Sequence, residues 1–369
     1  MSYRVGLIGC GGMGKAHIGW WNALDECQVT AVCDTSQEAM DGAAEVAGEV
    51  ARYEDFEQML DEAELDIVTI ATWPNMHAAP TIAAAHRGIH VYCEKPMAVD
   101  LEECDAMIAA AAEAGVALMI GHNRRNDPRF DKARQLIADG FIGQVRAVRG
   151  TNKGYEAGYG LMNMGSHLFD AMRILFGDVE WVWAHLRTAG RAVTVEDIEP
   201  DGHRGTGYTV GHSATVHLQF CNAVTGFAEW VPDFEQTLFG LEIIGSQGRL
   251  ALKNPSTDLY HFPAPVYGPT EWGAWSKIEL TPEENPYGYP DESRATGMLL
   301  AMLAQIEGGP EPSACGREAL KAIEIIMAIH EANRRGCKVS LPLVDRRHPL
   351  KVWRQDAGIE QYTGRTQNE

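Results

Sequence analysis

The stretch RVGLIGCGGMG, residues 4–14, decides the fold prediction. Three glycines with the spacing G-x-G-x-x-G follow a short apolar run. In this pattern the first glycine permits a tight turn, the second lets the backbone approach a pyrophosphate, and the third lets the following helix lie against the strand. The free amides at the start of that helix would face the phosphates. The predicted loop residues are Gly9, Gly11, Gly12, Met13 and Gly14.

The next strand indicates which dinucleotide binds. The segment QVTAVCD ends in Asp34, which lies 34 − 14 = 20 positions after Gly14. A carboxylate there can accept hydrogen bonds from the ribose hydroxyls of the adenosine half. Thr35 and Ser36 follow instead of Arg or Lys, so this segment offers no cation to bind the 2′-phosphate of NADP. The sequence therefore predicts NAD rather than NADP.

Composition limits the class of protein. A chain of 369 residues with 45% hydrophobic and 22% charged residues is typical of a globular protein with two domains. Its formal charge of −20 disfavours nucleic acid and anionic membrane surfaces as partners. The eight cysteines contain no CxxC pair. We therefore expect reduced cysteines, no metal site, no membrane span and a cytoplasmic location.

The pattern along the chain predicts two domains. Over residues 1–123, short apolar runs alternate with amphipathic stretches, which is typical of a doubly wound α/β Rossmann domain. Over residues 124–369, runs such as SATVHLQF alternate with period two and indicate an α+β domain with a largely antiparallel, open sheet. We assign NAD binding to the first domain, and substrate binding and oligomerisation to the second.

An open sheet also predicts an assembly. If helices cover one face, residues on the other, such as His217 or Trp230, need a partner subunit to cover them. The sequence therefore predicts a homodimer or homotetramer through the C-terminal sheet.

Lys95 is the first candidate for chemistry. It follows the apolar strand in VYCEKP, so it should enter the cofactor crevice at the strand tip. A lysine there can bind a substrate hydroxyl and help it lose its proton. The alternative is a surface lysine paired with Glu94.

A second candidate lies in the segment LMNMGSHLFDAMRILFG, residues 161–177. Asn163, His167 and Asp170 have the spacing i, i+4, i+7 and should share one helix face. His167 could act as a general base. The alternative is a surface histidine with a capping or ion-pair role.

Five motifs together resemble the glucose-fructose oxidoreductase and inositol dehydrogenase family (Gfo/Idh/MocA), and the resemblance extends over nearly the whole chain. They are GCGGMG at 9–14, ATWPNMHA at 71–78, CEKP at 93–96, GHNRRNDPRF at 121–130 and NMGSHLFD at 163–170. The resemblance implies NAD-dependent oxidation of a secondary hydroxyl of a sugar, inositol or related polyol.

The resemblance also implies roles for individual residues. Lys95 and His167 would be catalytic, with Lys95 also beside the nicotinamide. Further cofactor contacts would come from Thr72, Trp73, Asn75, His77 and Glu94. The resemblance also implies a cofactor or substrate contact from Asn123. Apart from the resemblance, we expect Tyr155, Asn163 and Asp170 to contact the substrate.

One position departs from the family motif. Asn163 stands where the motif most often has Asp, so no carboxylate there can balance an imidazolium or lysine. Three interpretations stay open: a dehydrogenase that uses Lys95 and His167 alone, a site adapted to another substrate, or a weakened enzyme. Two other functions also stay open: a lyase or hydrolase that oxidises a sugar transiently, and a non-catalytic NAD sensor.

Overall fold

The computed structural model describes residues 2–151, 160–201, 204–230, 240–253, 258–263, 275–286, 288 and 295–359. The chain divides into two compact units. The first unit comprises residues 1–123 and 293–320, and the second comprises residues 124–292 and 321–369. The sequence predicts that all of residues 124–369 belong to the second domain. The structure instead groups residues 293–320 with the first unit.

The first unit has a six-stranded parallel sheet, as the alternating pattern predicts. Its strands are β1 (Tyr3–Ile8), β2 (Cys27–Cys33), β3 (Ala51–Tyr53), β4 (Ile67–Ile70), β5 (His90–Cys93) and β6 (Leu118–Ile120). Their order is β3-β2-β1-β4-β5-β6. The order reverses between β1 and β4, which is where a doubly wound sheet binds its ligand.

Five helices connect these strands. They are α1 (Gly12–Asn22), α2 (Gln37–Ala47), α3 (Phe56–Glu62), α4 (Ala78–His86) and α5 (Leu101–Ala114). Side chains cap the first turns of α2, α3 and α5, where Ser36, Asp55 and Asp100 accept backbone N–H bonds. The first turn of α1 has no side-chain cap.

A later segment completes the first unit. Helix α8 (Thr296–Ile306) places Met298, Leu299 and Met302 in the same buried cluster as Val5 and Trp21. A boundary drawn from strand and helix patterns misses this return, because an apolar helix does not indicate which core it enters.

The second unit has a ten-stranded mixed sheet. Its strands are β7 (Val145–Thr151), β8 (Val179–Thr188), β9 (Arg191–Ala192), β12 (Ser213–Phe220), β13 (Thr225–Trp230), β14 (Gly240–Gly245), β15 (Arg249–Lys253), β16 (Asp258–Phe262), β17 (Ser276–Ile278) and β18 (Val339–Ser340). The main order is β17-β16-β15-β14-β7-β13-β12-β8-β18, and β9 pairs with β8. All described pairs are antiparallel except β7 with β13. β10 (Glu199–Asp201) and β11 (Gly207–Thr209) form a separate hairpin.

The described helices of the second unit are α6 (Pro128–Ala138), α7 (Ser166–Phe176), most of α9 (Gly316–Arg335) and α10 (Pro349–Asp356). Helix α7 packs closely on the sheet. A Cβ added to Gly150 on β7 would lie only 3.0 Å from the side chain of Leu168 on this helix. Trp230 is buried on this helix-covered face, with its ring centroid 5.7 Å from that of Phe169. The expectation that Trp230 lies on the open face is therefore wrong, whereas His217 does lie there beside Phe227.

Two further observations concern the chain as described. No helix within those ranges combines the length and apolar character needed to cross a bilayer. None of the eight cysteines, all of which lie within those ranges, forms a disulfide, and six of them are buried.

A buried hydrogen bond in the first unit gives a test of the core. Trp21 Nε1 donates to Thr69 Oγ1 at 2.7 Å, and both side chains are fully buried. Thr69→Val keeps the shape but leaves the indole N–H unsatisfied, so we expect a loss of about 1–3 kcal/mol in the free energy of unfolding. Denaturant titration measures this loss.

Thr30 on β2 is the matched control. Its Oγ1 is buried and has no hydrogen-bond partner in the described part of the chain, so Thr30→Val should leave stability unchanged or raise it. Equal losses in the two variants would contradict the assignment.

Candidate active site

The glycine loop joins β1 to α1 through very close backbone contacts. Gly9 adopts φ of 96°, and a Cβ there would lie 2.7 Å from the Ala71 carbonyl oxygen after β4. A Cβ on Gly14 would overlap the Gly9 carbonyl oxygen. These two glycines therefore allow the turn and the packing of α1, as the sequence predicts.

The other side of the loop is open. A Cβ on Gly11 or Gly12 would meet no described atom within 4 Å, and both residues are exposed. Met13 is also exposed. Because the first turn of α1 has no side-chain cap and no acidic residue, its N–H groups and its partial positive charge face this open space. These features fit the pyrophosphate of a dinucleotide.

Asp34 stands beside the same loop. Its Oδ2 accepts the Cys10 backbone N–H at 2.8 Å, and its Oδ1 accepts the Ser36 N–H at 2.9 Å. Ser36 Oγ accepts the Ala39 N–H and so caps α2. The half-buried carboxylate is thus held rigidly at the end of β2, in the position expected for a ribose-binding acid.

The loop after β4 has an exposed and a buried part. Trp73 and Asn75 are exposed, and Thr72 Oγ1 donates to the Met76 carbonyl at 3.3 Å. His77 is completely buried. Its Nδ1 lies 2.9 Å from the backbone oxygen of Pro96, and its Nε2 lies 3.2 Å from the backbone oxygen of Thr72.

The His77 ring lies inside the first unit, and the cofactor contact expected of this residue stays a prediction. Burial lowers the pKa of His77, although its backbone hydrogen bonds oppose this effect. Its ring ties the loop after β4 to the loop after β5. His77 therefore fixes the two loops relative to each other.

Glu94 and Lys95 follow β5. Glu94 is buried, with Oε1 2.8 Å from His17 Nε2 and Oε2 accepting the Lys95 backbone N–H at 3.1 Å. Lys95 is half-buried, and burial lowers the pKa of its ammonium while the Glu94 charge opposes the shift. A titratable lysine of this kind suits proton chemistry. The Glu94 side chain faces the interior, and the cofactor contact expected of this residue stays a prediction.

The predicted polar helix in the second unit begins with an irregular turn. Leu161–Gly165 forms a π-helical turn that leads into α7, and Ser166 Oγ donates to the backbone carbonyl oxygen of Asn163 at 3.0 Å. Asn163 and His167 are both half-buried. Turns of this type are frequent at functional sites. The predicted α-helical spacing therefore holds for His167 and Asp170, which lie in α7, but not for Asn163, which lies in the π-helical turn.

Asp170 has a different environment from the one expected. It is almost completely buried, and its Oδ1 accepts Arg125 Nε at 2.8 Å and the terminal nitrogen of the same guanidinium at 2.6 Å. Arg125 therefore engages this carboxylate, and the substrate contact expected of Asp170 stays a prediction. Arg125 was missed as a partner because 45 residues separate the pair.

The other two predicted substrate residues are Asn123 and Tyr155. Asn123 is half-buried and begins a 3₁₀ turn, Asn123–Asn126, after β6. Tyr155 lies outside the described residues.

Comparison with known proteins decides the family. The model of the Gfo/Idh/MocA family described as "Oxidoreductase family, NAD-binding Rossmann fold" matches residues 3–122, and the model of the family's C-terminal domain matches residues 130–251. The chain belongs to the Gfo/Idh/MocA family. It is thus an NAD-dependent oxidoreductase of the dehydrogenase type, in agreement with the open glycine loop and Asp34.

Individual members of the family are distant relatives. The chain is 27% identical to D-apiose dehydrogenase of Paraburkholderia graminis, over 94% of this chain and 92% of that protein. It is 28% identical to myo-inositol 2-dehydrogenase of Thermotoga maritima, over 68% of this chain and 75% of that protein. A levoglucosan dehydrogenase solved with NADH and L-sorbose has the same fold, with a TM-score of 0.77, 24% identity, and coverage of 93% of this chain and all of that one.

The contact at Gly14 gives a direct test of the loop. Gly14→Ala should lower the melting temperature and abolish NADH binding, because the new methyl group displaces α1 from Gly9. Thermal unfolding and NADH fluorescence measure the two effects.

Gly19 on the same helix is the control. It is exposed, with open space around a Cβ, so Gly19→Ala should raise stability by about 0.5–1 kcal/mol and leave NADH binding intact. Normal NADH binding by folded Gly14→Ala would refute the role of this contact.

Proposed function

We propose that this enzyme oxidises a secondary hydroxyl of a sugar, an inositol or a related polyol. The observation that carries the proposal is a half-buried lysine with a lowered pKa at the end of β5, in the same unit as an open glycine loop and a fixed Asp34. The names of the relatives support the substrate class, since apiose, inositol and levoglucosan are all polyhydroxylated.

The cofactor supplies the hydride acceptor when bound. The uncapped N-terminus of α1 would hold its phosphates, and Asp34 would hold its adenosine ribose. Lys95 would bind the reacting hydroxyl and favour its ionisation through the charge of its ammonium. Trp73 and Asn75, which are exposed on the loop after β4, would lie along the cofactor.

We assign the proton transfer to His167. A neutral imidazole can take a proton from the hydroxyl, and its position one residue into α7 gives it a rigid support. Asn163 and Tyr155 would bind neighbouring hydroxyls, and Asn123 would contact substrate or cofactor. Arg125 and Asp170 would brace α7, because their ion pair links it to the segment before α6.

Turnover of a polyol and sugar panel tests the proposal. NAD reduction is followed by absorbance for wild type, Lys95→Met and His167→Ala, and we expect kcat to fall by about 10²–10⁴ in each variant. The alkaline limb of the wild-type pH profile should lie below the ordinary lysine value of 10.5, because burial lowers the pKa of Lys95 and the ammonium is lost as pH rises.

His86→Ala is the control, since His86 is an exposed histidine at the end of α4. Equal turnover by wild type and His167→Ala would remove His167 from the mechanism. Product formation with catalytic NAD and no lasting reduction would favour the lyase or hydrolase alternative. Tight NADH binding without turnover of any compound would favour the sensor.

We also propose that the open face of the large sheet binds a second copy of the chain in a homodimer or homotetramer. Trp183, His217 and Phe227 are in register on β8, β12 and β13, and Trp183 and Phe227 are 38% and 40% exposed. The rings of His217 and Phe227 stack with centroids 5.0 Å apart. A row of exposed aromatic side chains on a sheet is typical of an interface.

Cytoplasmic location also remains an expectation.

Light scattering tests the assembly. The wild type should have a mass at least twice the 40.5 kDa of one chain, and Phe227→Glu should yield the monomer because a charge would be buried. Phe141→Glu is the control, since Phe141 is also exposed, at 46%, but lies after α6. A monomeric wild type would contradict the proposal.

A further inference from the structure

A buried pair of titratable side chains connects α1 to the backbone of Lys95. His17 has no exposed surface, and its Nε2 lies 2.8 Å from Glu94 Oε1. The other carboxylate oxygen, Oε2, accepts the Lys95 N–H at 3.1 Å. One carboxylate thus contacts the helix of the glycine loop with one oxygen and the lysine backbone with the other.

The surrounding residues leave this pair little freedom. The His17 ring has edge contacts with Trp20 and Tyr92, with centroids 4.7 and 4.9 Å away. On the far side of the carboxylate, a Cβ on Gly121 would stand 3.0 Å from Glu94 Oε2, so the backbone closes on the carboxylate. The pair therefore has a fixed geometry before any ligand binds.

The charges of Glu94 and Lys95 are coupled. Burial alone would raise the pKa of Glu94, but the hydrogen bond and charge of His17, together with the ammonium and backbone N–H of Lys95, hold it below its ordinary value. Burial lowers the pKa of Lys95, and the Glu94 charge opposes that effect. Glu94 is thus an anion that preserves the charge of the lysine.

Three other titratable groups feel the same carboxylate. They are His77, Tyr92 and Cys93. Burial is the largest influence on the pKa of each; it lowers that of His77 and raises those of Tyr92 and Cys93, and the Glu94 charge raises all three. None of the three therefore supplies a positive charge that would compete with Lys95.

We propose that His17 and Glu94 are positioning residues for Lys95. His17 holds the carboxylate, and the carboxylate fixes the lysine backbone and keeps the ammonium charged. The inference rests on the proposed function, because it concerns the lysine assigned there to the substrate hydroxyl. It adds a link from the first helix to the reacting group.

The first experiment measures the charge of Lys95 without cofactor or substrate. Competitive acetylation of the whole protein is followed across pH values around the ordinary lysine value of 10.5, and the Lys95 peptide is quantified by mass spectrometry. Glu94→Gln keeps the shape and removes the charge that raises the pKa of Lys95, so Lys95 should react about tenfold faster at mildly alkaline pH. Glu102→Gln, an exposed glutamate on α5, is the matched control.

The second experiment concerns His17. His17→Gln retains an N–H that can reach the carboxylate, whereas His17→Leu does not. With a substrate that the wild type oxidises, kcat of His17→Leu should fall about tenfold, the loss expected from ~1.4 kcal/mol of transition-state stabilisation, and that of His17→Gln should stay near wild type. The KM for NAD should change little in either variant. Circular dichroism checks that each variant folds.

The outcomes separate this inference from the proposed function. Lys95 reactivity that is the same in Glu94→Gln and Glu102→Gln would overturn the role of Glu94. Should Glu94→Gln fail to fold, the His17 variants decide, and a folded His17→Leu with wild-type kcat would overturn the inference. If the wild type oxidises no sugar or polyol, the proposed function fails, while acetylation still reports whether Glu94 controls Lys95.

Discussion

The site depends on the contact of Gly14 with the Gly9 carbonyl oxygen, where only a residue without a side chain fits. This contact sets how closely α1 lies against β1. One turn along the same helix, His17 then reaches Glu94 at the end of β5. The glycine loop therefore does more than leave room for phosphates, because through α1 it also determines where the carboxylate beside Lys95 stands.

The capping of the first turn distinguishes α1 from α2, α3 and α5, although α4 also begins without a side-chain cap. Ser36, Asp55 and Asp100 satisfy the first turns of α2, α3 and α5 with their own side chains. Helix α1 lacks such a cap and begins beside two exposed glycines. The N–H groups of its first turn and its partial positive charge are thus available to bind an anion. A protein with a net charge of −20 can bind a dinucleotide because this attraction is local.

Buried ion pairs within each unit are features that sequence patterns could not predict. His17 with Glu94 and Arg125 with Asp170 join residues 77 and 45 positions apart. A pattern shows which residues share a helix face or end a strand, but a pair requires the distance between two elements. For the same reason the sequence could not predict that the side chains of His77 and Asp170 are buried. The π-helical turn at Leu161–Gly165 was equally invisible, since a helical stripe of apolar residues fits both types of turn.

The sequence by itself determined the doubly wound first unit, the largely antiparallel second sheet, the family and the cofactor. These follow from local rules: glycine where no side chain fits, a carboxylate at a strand end, and apolar periodicities of two and 3.6 residues. Only the tertiary structure decided that residues 293–320 return to the first unit, that Trp230 faces the helices, and that Glu94 points inward to His17. Each of these depends on the free energy of burying a side chain against residues distant in sequence, and no local pattern encodes which partner provides that burial.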